Sequence, residues 1–519
     1  MSKSLTAGKP WRVILIFAIP LLVGNVVQQM YQVIDAVVVG RNLGVDALAA
    51  VGSTGGIFFL LIGFSWGMTT GFAIPTAQAF GAKDPAGVRR SVAAGTVLTA
   101  LAGLVVTAIG VLSARAFLQL LQTPPTLLDE ATTFATVSFS GALAIMFFNY
   151  LSAILRARGD STTPLVFLII SSVVNMGLVL LFVRHLGLGV GGAAGATVAA
   201  QALSVLLCLA YIYRAVPGLR VSRADLRACG PDMMPHLRLG LPMGFQTSII
   251  AIGALAVQVR LNLLGPDAVA AYTTATRVDG LATAFLASLG LAASTFVAQN
   301  YGARLFDRIR VGVRQSLIMG VVTALLLAFL LITFGTVFVR AFVGAGNDEV
   351  VGMAHSFLVI NGSFYWVVSI MFIVRGGMQG IGRMTIPTLS GVLELVLRVA
   401  AAVFLGGVLG FVGVAWASPL AWIGATLLLV PAWLQALKRL RARTDGRESE
   451  DEVTAHGESE AGEGPNPTPA SADEPQEEEP LADGTEEAQF PNPMQPSLNE
   501  VIEPRPKSRD RETPCECGR

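Results

Sequence analysis

The chain repeats itself at long range, and the repeat limits the folds open to it. Residues 40–82 return at 261–303 with no net insertion. Gly44 falls on Gly265, Ala49-Ala50 on Ala270-Ala271, Gln78 on Gln299 and Gly81-Ala82 on Gly302-Ala303, all 221 residues apart. A second echo relates Gly159…Pro164 to Gly382…Pro387 at an offset of 223. Two homologous and strongly apolar halves have the layout of a transport body with its pathway between the repeats.

Apolar content points the same way. Of 519 residues, 53% are hydrophobic and 14% charged, with a mean hydropathy of +0.63. Such a chain belongs with polytopic membrane proteins. A crossing needs about 20 predominantly apolar residues. Twelve stretches qualify, at roughly 13–39, 48–77, 90–112, 128–153, 163–183, 190–213, 237–263, 269–297, 312–336, 351–374, 386–407 and 411–436. The expected fold is all-α, with twelve transmembrane helices in two six-helix repeats. Several stretches exceed the needed length, so tilt or kinks are expected, with Pro20 and Pro75 as candidate kink points.

Lys and Arg set the expected orientation. The N-terminus carries Lys3, Lys9 and Arg12. The even-numbered loops carry Lys83/Arg89/Arg90, Arg214/Arg220/Arg223/Arg227 and Arg304/Arg308/Arg310/Arg314, and the last span ends in Lys438, Arg439, Arg441 and Arg443. The odd-numbered loops have few, such as Arg41, Arg115, Arg184 and Arg340. Both termini are therefore expected in the cytoplasm of a cell-membrane protein. An even number of spans per half makes the repeats parallel. The boundaries read as 1–213 for the first lobe, 214–236 for a basic linker bearing Pro217, Pro231 and Pro235, and 237–444 for the second lobe. Residues 445–519 form an acidic tail with 21 of the 35 acids and 6 of the 36 basic residues, too polar to bury a core and expected to be disordered.

Other chemistry finds no footing. Cys208, Cys229, Cys515 and Cys517 are too scattered for a disulfide framework, and Cys515-Glu516-Cys517 lacks further metal ligands. Pro10-Trp11-Arg12 runs into a span longer than a signal peptide's apolar core, so no cleavable signal is expected. The four histidines are scattered, and there is no phosphate-binding loop. The expectation is a transporter, not an enzyme, with no cofactor and no nucleic-acid partner.

Three acids lie deep in the spans: Asp35, Asp279 and Glu394. Each costs about 2.5–3.5 kcal/mol at a helix centre, so each needs a partner, water or a proton. Asn25, Gln28, Gln32 and Asp35 are spaced 3, 4 and 3 along the first span, with Tyr31 beside them. Helical spacing puts them on one face, suited to line a hydrated cavity or to form an interhelical hydrogen-bond seam. Asp35 lies toward the outer half. A carboxylate withdrawn from bulk water there can hold and release a proton near neutral pH, which makes Asp35 the candidate coupling group. Asn25, Gln28, Tyr31 and Gln32 are candidates to contact substrate or water. Glu394 and Arg398 stand at i and i+4 in the favoured order and read as a structural ion pair. Asp279 faces either a second-half cavity or a local partner. Asn175 and Thr197, taken alone, read as packing groups.

In chain order, Pro20-Leu21…Gln28-Gln29…Tyr31…Asp35…Gly40, then Leu43-Gly44…Ala49-Ala50 and Gln78…Gly81-Ala82-Lys83, form a series. It continues with Arg156-Ala157-Arg158-Gly159-Asp160…Pro164, Asn175, Gly192-Ala193-Ala194…Thr197 and Gln379-Gly380-Ile381-Gly382…Pro387. Over residues 12–440 this series resembles the multidrug and toxic compound extrusion (MATE) family. The resemblance implies two six-helix lobes that rock around a central cavity. It also implies export of amphipathic, often cationic, compounds in exchange for H⁺ or Na⁺. Some members of the family place acids in spans seven and ten, but 237–263 and 351–374 hold none here. Asp35 instead looks like the first-span aspartate of the DinF-like branch, which implies an ion-coupling role for it with Asn175 and Thr197 in support. That branch has a second Asp where this chain has Val179. Sodium needs several oxygens in a fixed cage, so the departure favours H⁺ over Na⁺.

Two other readings compete. One is a lipid-linked precursor flippase, which would have extra spans and a strongly cationic cavity. The other is a non-transporting interaction protein docking through its acidic tail, which has no need of an unpaired carboxylate in lipid. The expected partners are a small-molecule substrate, H⁺ or Na⁺ and the lipid bilayer, with the chain a monomer.

Overall fold

The computed structural model describes residues 4–343 and 347–444, and the acidic tail expected at 445–519 lies outside them. The first half consists of α1 (Pro10–Leu43), α2 (Val45–Gly81), α3 (Pro85–Leu120), α4 (Pro125–Ser140), α5 (Ala142–Ala157), α6 (Thr162–Val179) and α7 (Gly189–Ala215). A π-helical turn at Leu180–His185 prolongs α6. The short α8 (Arg223–Ala228) joins the halves. The second half consists of α9 (Gly230–Leu264), α10 (Pro266–Gly302), α11 (Phe306–Val343), α12 (Asp348–Gly362), α13 (Tyr365–Gly380), α14 (Thr385–Leu409), α15 (Phe411–Ala415) and α16 (Ala417–Thr444). Helix α9 starts inside the stretch expected as linker.

Among the described residues, ten helices are long and apolar enough to cross a membrane, and two bent pairs bring the number to twelve if each pair is one span. The pairs are α4–α5, bent by 45°, and α12–α13, bent by 51°. Pro20 and Pro75, the expected kink points, lie inside α1 and α2, which continue through them. The two measured bends fall at breaks, at Gly141 and at Ser363-Phe364.

Local chemistry sets the helix ends. Proline occupies the first turn of α1, α3, α4 and α10, where its missing N–H costs nothing. Asp84 caps α3 by accepting the Gly87 N–H at 2.9 Å. Ser222 and Asp225 close a reciprocal capping box on α8.

The duplication persists in the backbone. Gly44 and Gly265, 221 apart, end α1 and α9 with φ of +91° and +102°, a conformation that suits glycine. Lys83 and Arg304, at the same offset, both turn with φ +56° after α2 and α10. Gly159 and Gly382 follow with +94° and +83°.

One apolar core gathers second-half side chains with Leu5, Ile14, Phe17 and Ala18, so the start of α1 packs on the second half. First-half residues build separate cores. Helix α9 lies along α2, and a polar chain helps to hold its start to the first half. In that chain Thr76 and Ser91 share a 2.8 Å hydrogen bond, and Ser91 meets the buried His236 ring at 3.0 Å. The N-terminal segment, the α10–α11 turn and the end of α16 meet at one end of the bundle. There Arg308 donates to the carbonyls of Ala7 and Gly8, and Arg443 donates to the Tyr301 hydroxyl.

Candidate functional site

The polar face of α1 meets α6 and α7. Tyr31 donates its hydroxyl to Thr197 Oγ1 at 3.2 Å, and Asn175 Nδ2 donates to the same oxygen at 3.2 Å. Thr197 in turn donates back to the Ala193 carbonyl on its own helix at 3.3 Å. Its oxygen is therefore fully used, as burial in an apolar bundle demands. Tyr31, Asn175 and Thr197 are thus brought together. Asp35, one turn beyond Tyr31, is half-buried, and its Oδ1 is buried with no hydrogen-bond partner among the described residues.

The position where the resemblance calls for a second carboxylate is closed by hydrocarbon. Val179 is 1% exposed and packs with Val39, Val183, Val190, Ala193 and Ala196. It lies one turn beyond Asn175, so the polar cluster ends in an apolar plug. Among the described residues, the groups of this cluster are the Asp35 carboxylate, the Asn175 amide, the Tyr31 phenol and the Thr197 hydroxyl.

The other expected residues separate. Asn25 donates across the boundary between halves to Ser288 Oγ at 2.9 Å. Gln28 is half-buried with no side-chain hydrogen bond among the described residues. The Gln32 side chain lies outside what the structure describes. Asp279, on α10, accepts a 2.8 Å hydrogen bond from the buried Tyr365 at the start of α13.

Glu394 has two partners. Its carboxylate accepts from Arg398 at 3.0 Å and from Arg375 at 3.0 Å, and all three groups are largely buried. Arg375 also reaches Ser390 Oγ at 3.4 Å. Sequence reasoning missed Arg375 because the tenth span was drawn to end at residue 374, whereas α13 continues to Gly380. A lone arginine at the edge of an apolar stretch was the available signal, since a buried guanidinium requires a counter-charge. The triad is internally bonded and links α13 to α14.

Against this geometry, the MatE family model matches residues 20–181 and 242–422. The chain belongs to the MatE family, a family of multidrug efflux transporters. A curated relative, the probable multidrug resistance protein YoeA of Bacillus subtilis, is 31% identical over 393 residues, 74% of this chain and 84% of the relative. The DNA damage-inducible protein F of Escherichia coli is 27% identical over 319 residues, 58% of this chain and 66% of that protein. Among solved structures, a MATE protein in its bent conformation superposes with a TM-score of 0.79 at 22% identity, covering 85% of this chain and 98% of its own. The last likeness establishes the shared fold. The polytopic helical architecture expected from the sequence is the architecture of this family.

Proposed function

We propose that this MatE-family chain is a secondary antiporter that exports small amphipathic or cationic organic compounds in exchange for protons. The observation that carries the reading is the Asp35 carboxylate, which has a buried oxygen without a partner among the described residues. A membrane-embedded acid that no neighbour neutralises is a default candidate for ion or proton transfer. Tyr31, one turn from it, and Asn175 both donate to Thr197, so the three are preorganised to orient a water or a proton at that acid. Asn25, Gln28, Gln32 and Asp279 would line the substrate path, and Glu394 with Arg398 would hold structure. Val179 in its apolar cluster supports H⁺ over Na⁺, since a second anionic oxygen is missing from the cage.

Transport proceeds, on this reading, by rocking of two lobes, 1–213 and 237–444, joined by 214–236. The end of the bundle that holds the termini faces the cytoplasm, because Lys and Arg concentrate there. The protein works as a monomer in the cell membrane. The test is efflux by Asp35→Asn in energised membranes at matched abundance. Loss of gradient-driven efflux is expected, and wild-type efflux would remove Asp35 from the coupling step.

A further inference from the structure

The duplicated motif does more than mark ancestry. Gln78 Nε2 donates to the Gly380 carbonyl at 2.9 Å, and Gln299 Nε2 donates to the Ala157 carbonyl at 2.6 Å. Gln78 and Gln299 are 221 apart, and Ala157 and Gly380 are 223 apart, the two offsets of the internal repeat. Each glutamine thus reaches into the opposite half, and the two contacts are images of one another. The acceptors are the last residues of α5 and α13. Carbonyls at a helix C-terminus have no intrahelical donor, so each glutamine satisfies an acceptor its own helix would otherwise leave open. One turn after each glutamine stands a glycine. A Cβ at Gly81 would collide with the Gln299 backbone carbonyl, and a Cβ at Gly302 would collide with that of Gln78. Helices α2 and α10 cross there backbone to backbone, which only glycine permits.

We infer that Gln78 and Gln299, with Gly81 and Gly302, are a two-part latch that holds the two halves shut at the terminal end of the bundle. The inference rests on the alternating-access reading above but not on Asp35 or on the coupled ion. In a transporter that rocks, contacts made between the halves at one end must break when that end opens. A latch built of two single hydrogen bonds to backbone carbonyls suits the task. It is specific in geometry and weak enough to break in each cycle.

The two parts are unequal. Gln78 is half-buried, so water competes for its bond. Gln299 is fully buried, and its Oε1 also accepts the Leu5 N–H at 2.9 Å. Asn300 and Arg308 then bind the Leu5 carbonyl, and Arg308 binds those of Ala7 and Gly8. Residues 5–8 therefore strap the Gln299 part alone. Behind the latch lies a void of about 20 Å³ lined by Ala77, Ala157, Ser294 and Ala298 among others.

The test reads exposure, without substrate or gradient, so it is independent of the coupling proposal. Ala77→Cys places a thiol at the void, beside Gln78, where the alanine is 2% exposed. Labelling of this introduced thiol by a water-soluble maleimide is followed by site-resolved mass spectrometry on full-length protein in lipid nanodiscs. The native Cys208, 0% exposed inside the first half, reports general loosening in the same sample. Adding Gln78→Leu or Gln299→Leu to Ala77→Cys should each raise labelling of the introduced thiol about fivefold, and the pair roughly 25-fold if the parts are independent. Cys208 should stay unlabelled. Removing residues 2–8 should mimic Gln299→Leu and add little to it. Unchanged labelling of the introduced thiol in the variants overturns the latch. So does a parallel rise at Cys208, which would make the glutamines props of the fold. Should the double variant not fold, the half-exposed Gln78→Leu decides alone.

Discussion

Two membrane-embedded carboxylates should respond to the same chemical change in opposite ways. Glu394→Gln and Asp35→Asn each swap a carboxylate for an amide of the same shape. Glu394 is 5% exposed and answers two guanidiniums, both at 3.0 Å. Removing its charge leaves Arg375 and Arg398 buried without a counter-charge. Breaking such a pair costs about 3–5 kcal/mol, and hydrogen bonds to charged groups are each worth about 1.5–3 kcal/mol. The glutamine oxygen can still accept from one arginine, so the low end, about 3 kcal/mol, is expected. Asp35 makes no hydrogen bond with its buried oxygen among the described residues, so Asp35→Asn forfeits none of those present, and its stability should stay within about 0.5 kcal/mol of the parent.

The assay is thermal unfolding of both variants in one detergent, beside efflux in energised vesicles. Glu394→Gln should unfold at clearly lower temperature and transport in proportion to the folded fraction. Asp35→Asn should unfold with the parent and fail to transport. Equal destabilisation by the two changes would refute the argument, because Asp35 would then be part of a bonded seam between helices. A Glu394→Gln protein of parental stability that does not transport would move the triad from scaffold to mechanism.

Three further outcomes are expected. Efflux by reconstituted protein should follow a pH gradient and ignore a sodium gradient at constant pH, whereas Val179→Asp should introduce sodium sensitivity; strict sodium dependence of the parent would show that one carboxylate suffices for the ion. Truncation after Arg443 should leave membrane insertion and efflux intact, and lost efflux at normal abundance would make the acidic tail a working part. The Ser222 hydrogen bonds, with Arg89 adding a weaker attraction, hold the Asp225 carboxyl below the usual carboxylate range. The cap on α8 should therefore be intact above about pH 4, where an unfolded aspartate is ionised, and be lost only as pH falls through that lowered value. Hydrogen exchange at residues 223–228 measures it, and fraying that begins near neutral pH would contradict it.

The spans were legible in the sequence because lipid allows so few solutions. A backbone that cannot reach water must form helices, and about 20 apolar residues in a row advertise each one. The breaks at Gly141 and Ser363-Phe364 were not legible, since no proline marks either position. The first-span polar face could be read because 3-4-3 spacing is a one-helix property. Its link through Thr197 to Asn175 came from resemblance alone, since no local pattern links residues on three helices. Tyr365 with Asp279, 86 residues apart, and Arg375 with Glu394 lacked even that help.

The comparison of the halves explains why the repeat is plain at one end of the bundle and faded in the middle. At the terminal end both copies keep glutamine and glycine, since each copy supplies the other with a donor and a close backbone. Symmetry there is enforced by mutual contact. Deeper in the bundle the copies have parted in charge. Asp35 corresponds to Ala256 at the offset of 221, and Arg375, Glu394 and Arg398 correspond to Ser152, Ser171 and Asn175 at 223. Asp35 thus has neutral polar groups beside it, while Glu394 in the other half is satisfied by two arginines and Asp279 by Tyr365. A buried charge already bonded on both sides is poorly placed to exchange a proton in each cycle, and one with an open oxygen is well placed. On the proposed reading, the asymmetry favours Asp35 over Glu394 as the proton-handling group. Converting Arg398 to asparagine, its first-half equivalent, should weaken the second half without giving it a coupling role.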